Sequence, residues 1–293
     1  MRLPEQVRVE GVEHTSVALD GFDAHLATAG DSGGEPVVLL HGWPLHWWSF
    51  RHLIRRLAED GRRVLAPDLR GFGWSGTPGW GYASAQFTRD LFALLEALGV
   101  ERVDLVGHDW GCFVGYRATL EAPGRFRRFV AMSGPGPHAG YSARTVATLW
   151  RYWYQQPLAL PILGPRTVRR MGSPRSLVGR WAGLHRTSEE VVRAYMLQFD
   201  DRARVDASVA LYRDALLHAF TTPFLPEYRH ARLRVPTLHI HGTKDRPTSP
   251  AFVRPMAARS DQWRLELLDG VGHLILDEAP EQVERLVRPF LTS

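Results

Sequence analysis

Among its 293 residues the chain has a single cysteine, Cys112, and a single lysine, Lys244. One cysteine excludes an intramolecular disulfide and any metal site built on paired cysteines. With lysine almost missing, the 36 basic residues are nearly all arginine, and they are scattered. No basic block is long enough to read as a nucleic-acid arm, so the formal net charge of +5 is no argument for a polyanionic partner. Also missing is any uninterrupted apolar run approaching the ~20 residues of a membrane span. The N-terminal MRLPEQVRVE lacks an apolar core of signal-peptide length. There are no internal repeats and no low-complexity tract. The expectation is a cytoplasmic protein, monomer or homodimer, acting on a small molecule without nucleic acid, metal or cofactor.

What is present points to one large domain carrying an insertion, since 293 residues are long for one compact domain and short for two. Short apolar runs read as strands at PVVLLHG (36–42), RRVLAPD (62–68), VDLVGH (103–108) and FRRFVAMSG (126–134). Helix-period segments separate them at about 47–59, 84–98 and 110–121, and Gly99 stands where the second should stop. Buried strands alternating with helices predict a mostly parallel sheet covered on both faces. The amphipathic run 7–28 adds an antiparallel edge pair. After Gly134 the pattern becomes rich in Pro, Gly and aromatics and then helical to about 220. Strand pattern returns at VPTLHIHG (235–242) and WRLELLDG (263–270), with helices near 250–258 and 278–291. The division expected is a core of 1–135 and 225–293 interrupted by a helical cap, 136–224.

The chemistry is concentrated in loops that follow strands. In GHDWG (107–111) an acid, Asp109, stands at a tight strand-to-helix turn between Gly107 and Gly111. Such an elbow pushes the central side chain out at the carboxyl end of a strand, and glycines relieve the crowding. The helix that follows aims N–H groups at the same point, which suits an anion. Alternatively, Asp109 simply caps that helix. HGWP (41–44) leaves a strand where the Trp43 amide can point at a reacting oxygen, and the amide of Trp110 supplies a second donor. Asp245, in HIHGTKD (239–245), and His273, in DGVGHLIL (269–276), each follow a late strand. Either alone reads as an ordinary turn aspartate or loop histidine. Acid elbow, acid and histidine in that order carry the argument together.

These motifs, with APDLRGFGWSGTP (66–78), resemble the α/β-hydrolase superfamily, in the branch of epoxide hydrolases and haloalkane dehalogenases, over nearly the whole chain. Most of that superfamily carries serine where this chain has Asp109. The resemblance implies an aspartate nucleophile that attacks an sp³ carbon and forms an alkyl ester on the enzyme. Water, activated by His273 that Asp245 orients, would then hydrolyse the ester, with the Trp43 and Trp110 amides as the oxyanion hole. An aspartate of ordinary pKa, ~3.9, needs no base for the first step.

An epoxide leaves as an alkoxide and needs proton donors, which the family draws from two cap tyrosines. ALYRD (210–214) resembles the segment carrying the second and points to Tyr212. WRYWYQQP (150–157) resembles the segment carrying the first, and Trp150 falls at the expected place, with Tyr152 or Tyr154 as substitutes if the cap is shifted. An indole can donate a hydrogen bond but gives up no proton. Trp150, Trp153, Tyr154, Trp43 and Trp110, with Trp47 and Trp48, suggest a dry apolar or aromatic substrate site. A dehalogenase is the alternative, with Trp110 and Trp150 holding halide. Against it, position 43 lacks the asparagine of one dehalogenase group, and no Glu follows the 126–133 strand. A third reading is a non-catalytic ligand receptor on this fold; it gives no reason for Asp109, Asp245 and His273 together.

Overall fold

The structure is a computed structural model that describes residues 3–136, 147, 149–221, 228, 231–260 and 262–292. Eight strands form one sheet in the order β1-β2-β4-β3-β5-β6-β7-β8. β1 (Glu13–Leu19) and β2 (Phe22–Ala29) are the expected antiparallel edge pair, and β2 also lies antiparallel to β4 (Arg63–Pro67). From β4 onward the sheet is parallel, through β3 (Pro36–Leu40), β5 (Val103–His108), β6 (Phe126–Met132), β7 (Thr237–Gly242) and β8 (Trp263–Leu268). Every residue of β5 and β7 is buried, as continuous apolar runs covered on both faces require.

The helices of the core follow the apolar spacing read from the sequence. α1 (Arg51–Glu59) buries Leu53, Ile54 and Leu57, and α2 (Ser84–Ala97) buries Phe87, Leu91, Leu94 and Leu95. α3 (Trp110–Glu121) lies against β5 and β6 so closely that a Cβ on Gly115 would come within 2.4 Å of the Phe129 ring. A mid-helix glycine costs about 1 kcal/mol of helix propensity, and here it permits that approach. The run 250–258 is two 3₁₀ helices, Pro250–Phe252 and Arg254–Arg259, each with proline in its first turn.

The segment inserted between β6 and β7 contains only helix and turn among the described residues: a 3₁₀ helix (Leu149–Tyr154), α4 (Gln155–Ala159), α5 (Leu163–Arg170), α6 (Leu177–Trp181), α7 (Glu189–Met196) and α8 (Arg202–Thr221). The expected cap boundary at 224/225, and residues 137–146 and 148 of the Pro- and Gly-rich stretch that opens the cap, lie outside the described residues. α9 (Ile275–Glu278) and α10 (Pro280–Thr292) close the chain.

Several arginines pair with carboxylates, and two of them, Arg62 and Arg70, are buried. Asp104, fully buried on β5, is paired with Arg62 and has Arg127 at 3.5 Å and Arg128 at 3.8 Å. Arg70 holds Asp90 with two bonds of 2.7 Å, and Arg288 holds Asp60 with bonds of 2.7 and 2.6 Å. Planar guanidinium suits such forked pairing of a carboxylate better than an ammonium does.

Candidate active site

The carboxyl ends of β3, β5, β7 and β8 deliver the candidate residues to one place. Asp109 stands between β5 and α3 with φ 52° and ψ −113°, a conformation that side chains rarely adopt. Its N–H donates to the Met132 carbonyl at 3.0 Å, which locks the corner against β6. A Cβ on Gly107 would lie 2.3 Å from the Gly111 carbonyl oxygen, and one on Gly111 would lie 2.0 Å from the Leu40 oxygen. The turn therefore closes only with glycine at both flanks. Asp109 makes no capping bond to α3, so the alternative of a simple helix cap does not hold.

Its carboxylate is met from two sides. The Trp43 amide donates to Oδ1 at 2.9 Å, and Nε2 of His273 lies 3.3 Å from Oδ2. Close passage of the 41–44 loop requires Gly42, where a Cβ would lie 2.3 Å from that of Asp109. The loop is anchored by His41, whose Nδ1 donates to the Gly42 carbonyl at 2.8 Å and whose Nε2 accepts from the Leu69 amide at 2.9 Å. Asp68 adds a bond from the Trp47 amide at 2.7 Å. From the cap, Gln198 donates to the Pro44 carbonyl at 2.8 Å and accepts from the Gly73 amide at 2.8 Å.

Behind His273 stands Asp245, whose Oδ2 accepts from Nδ1 at 3.0 Å. Thr248 fixes that carboxylate through its amide, 2.9 Å from Oδ1, and its hydroxyl, 2.8 Å from Oδ2. Burial alone would raise the pKa of Asp245, but His273 and these donors bring it down to about 2. Burial alone would lower that of His273; Asp245 and Asp109 together override it and raise the imidazole to about 10. In the resting site His273 is thus an imidazolium held between two carboxylates.

Over Asp109 the cap contributes two phenols. Tyr212 on α8 and Tyr154 at the end of the 149–154 helix are buried, with ring centroids 5.9 Å apart at 76°. Tyr212 is also edge-on to Trp43 at 4.8 Å and to Trp110 at 6.2 Å, and its hydroxyl is hydrogen-bonded to Tyr154 and Trp110. Burial first, then Asp109 and Tyr152 beside Tyr154, and Tyr154 and Asp109 beside Tyr212, raise both pKa values well above the ordinary 10, so both stay protonated donors. The Trp43 indole donates to Ser208 at 2.9 Å and makes an apolar wall.

Two expectations are corrected here. Trp150 is 61% exposed and its ring lies against Trp181 at 5.5 Å, so it neither approaches Asp109 nor lines a substrate site with it. Trp153 also packs on Trp181, at 5.9 Å, and belongs to the cap's own aromatic packing. The reason is the 3₁₀ geometry of 149–154, which puts residues three apart on one side and leaves Tyr154 to face inward. Trp47 packs on His14 and His25, and Trp48 on Tyr195 and Arg51, both away from the carboxylate. Tyr152 is directed at Phe252, 5.5 Å between centroids. Sequence reasoning missed Thr248, Gln198 and His41. Their signal, polar residues within a few positions of a motif, is present but not distinctive. A cavity of about 240 Å³ opens beside His273 and Asp245, lined from the cap by Arg151, Trp181, Gly183 and His185.

Among the described residues, no group of three or more His, Cys, Asp or Glu side chains forms a metal-binding cluster, and no helix is long and apolar enough to cross a membrane. Residues 35–280 match the model of the alpha/beta hydrolase fold family. Over 94% of this chain and 96% of the relative, the sequence is 31% identical to Epoxide hydrolase A of Mycobacterium tuberculosis. It is 39% identical to Epoxide hydrolase 2 of Siraitia grosvenorii over a shorter stretch, 43% of this chain and 40% of the relative, so the match spans less than half of that protein. The crystal structure of Epoxide Hydrolase A from Mycobacterium thermoresistibile superposes with a TM-score of 0.78 over 96% of this chain and 98% of that one, at 26% identity.

Proposed function

We propose, for a chain that belongs to the α/β-hydrolase family in its epoxide hydrolase branch, that it opens an epoxide to a vicinal diol through an ester on Asp109. The observation that carries this reading is the convergence of two protonated phenols, Tyr154 and Tyr212, beside the one carboxylate at the elbow.

In the first step an oxygen of Asp109 attacks a ring carbon, the carbon–oxygen bond breaks, and a proton from Tyr154 or Tyr212 goes to the departing oxygen. Removing the Asp109 charge by esterification removes one of the two carboxylates that hold the His273 proton. The imidazolium then gives up its proton, which restores the phenol that donated in the first step, and a neutral imidazole is left at the stage when a base is needed. In the second step His273 takes a proton from water, which attacks the carbonyl carbon of the ester. The Trp43 and Trp110 amides receive the oxyanion. The cavity beside His273 is a route for that water. Collapse of the tetrahedral intermediate restores Asp109 and releases the diol.

The walls of Trp43, Trp110 and Phe199 support an apolar or aromatic substrate, with residues 136–224 as the cap over a core of 1–135 and 225–293. A dehalogenase would need a second halide-holding indole, and the exposed Trp150 does not supply one. The reading is tested with a panel of aryl epoxides and matched bromoalkanes. Diol formation without bromide release above background is expected; bromide release without diol would reject it.

A further inference from the structure

Three buried titratable groups that this chemistry does not use lie in a row behind Asp245. His239 and His241 are two apart on β7, so strand alternation sends both side chains to one face, and both are fully buried. His239 Nδ1 lies 2.8 Å from the Tyr116 hydroxyl on α3, and its Nε2 lies 3.3 Å from His241 Nδ1. The Tyr116 oxygen accepts from the Trp263 indole on β8 at 3.1 Å. At the other end His241 Nε2 lies 3.5 Å from Asp245 Oδ2 and beside the Thr248 carbonyl, without a hydrogen bond of good geometry to either.

One donor fixes the direction of the whole row. An indole N–H only donates. The Tyr116 oxygen accepts it, and the buried phenol must place its own proton on an acceptor, for which His239 Nδ1 is within reach. A neutral His239 then carries its proton on Nε2 and donates it to His241 Nδ1. His241 in turn carries its proton on Nε2, the nitrogen nearest Asp245. Burial keeps both imidazoles neutral by lowering their pKa values.

We propose that Trp263, Tyr116, His239 and His241 form a one-way hydrogen-bond array whose last N–H stands beside Asp245, in which His241 is a positioning residue for the acid. Its Nε2–H lies 3.5 Å from Oδ2, the oxygen that already accepts from His273 and from the Thr248 hydroxyl. A further N–H dipole there shares the carboxylate charge electrostatically, which limits how tightly Asp245 holds the His273 proton. The proposal rests on Asp245 and His273 acting as the acid–base pair of the second step. The other titratable groups facing Asp245 are His108, His239 and, from the cap, Arg151, Tyr152 and Tyr154; those facing His241 are His239, His273 and Arg151.

The tautomers are read directly by nitrogen NMR of the full chain with labelled histidine. Both His239 and His241 should be neutral Nε2–H tautomers between pH 6 and 8, and Tyr116→Phe should release the preference at His239. A protonated ring, or an Nδ1–H tautomer at His241, overturns the array. The functional arm is the pH profile of ester hydrolysis in single turnover. His241→Leu should move its midpoint up by roughly half a unit, a roughly threefold slower step at neutral pH, since an N–H beside a carboxylate short of a full hydrogen bond shifts its proton affinity by less than the ~1 unit of a formed one. His241→Gln, whose amide nitrogen reaches the Nε2 position, should return the midpoint to the wild-type value. An unmoved midpoint in His241→Leu, with stability lost alike in both variants, overturns the positioning role. If wild type forms no ester at all, it is the two-step reading that fails, and the tautomers alone then decide whether the array exists.

Discussion

Tyr154 and Tyr212 stand edge to face over Asp109, one from the 149–154 helix and one from α8, with centroids 5.9 Å apart. Two proton donors on one departing oxygen make them partly redundant. Either Tyr→Phe change should slow alkylation about tenfold to a hundredfold, and the double variant by the ~10²–10⁴ that general acid catalysis supplies. Trp150→Phe should stay within about twofold of wild type, because Trp150 packs on Trp181 at the surface. Stopped-flow single turnover with an aryl epoxide measures all three; a severe loss in Trp150→Phe would reverse the assignment.

The strained backbone at Asp109 can be separated from its carboxylate. Asp109→Ala and Asp109→Gly both remove the acid, and both should abolish turnover with an unchanged circular dichroism spectrum. They differ in tolerance of φ 52°. Asp109→Gly should be the more stable by about 1 kcal/mol in denaturant unfolding. Equal stability would mean that the elbow stores no strain.

The triad also sets a pH dependence of stability. His273 has its pKa raised from 6.5 to about 10, so the stability from its charged form is complete below pH 6.5 and is lost as pH rises through 10. Asp245 has its pKa lowered from 3.8 to about 2, so its contribution is complete above pH 3.8 and is lost as pH falls through 2. The stability difference between wild type and His273→Gln should be largest between about pH 4 and 6.5 and shrink toward pH 10. Urea unfolding at stepped pH checks this; a difference that grows with pH contradicts it.

Much of this was legible in the residues. Parallel strands buried on both faces have no polar alternation, so the runs at 36–42, 103–108 and 235–242 stood out, and Asp109 and Asp245 each follow such a strand, while His273 follows the half-exposed edge strand β8. The cap was less legible. WRYWY offers an aromatic at four of five positions, and only the 3₁₀ turn decides that Trp150 and Trp153 go to Trp181 while Tyr154 goes to the carboxylate. Propensity carries no signal for that choice. His239 and His241 read as parts of a strand, and their hydrogen-bonded row depends on Tyr116, over a hundred positions away.

The covalent ester on Asp109 is the centre of the account, and intact-protein mass spectrometry of His273→Gln after addition of an aryl epoxide tests it most directly. The variant keeps the carboxylate and both phenols but lacks the base for hydrolysis. One adduct of the mass of the epoxide should accumulate, and it should be absent from Asp109→Ala/His273→Gln. If His273→Gln binds the epoxide and shows no adduct, or the adduct persists without Asp109, the two-step mechanism is contradicted.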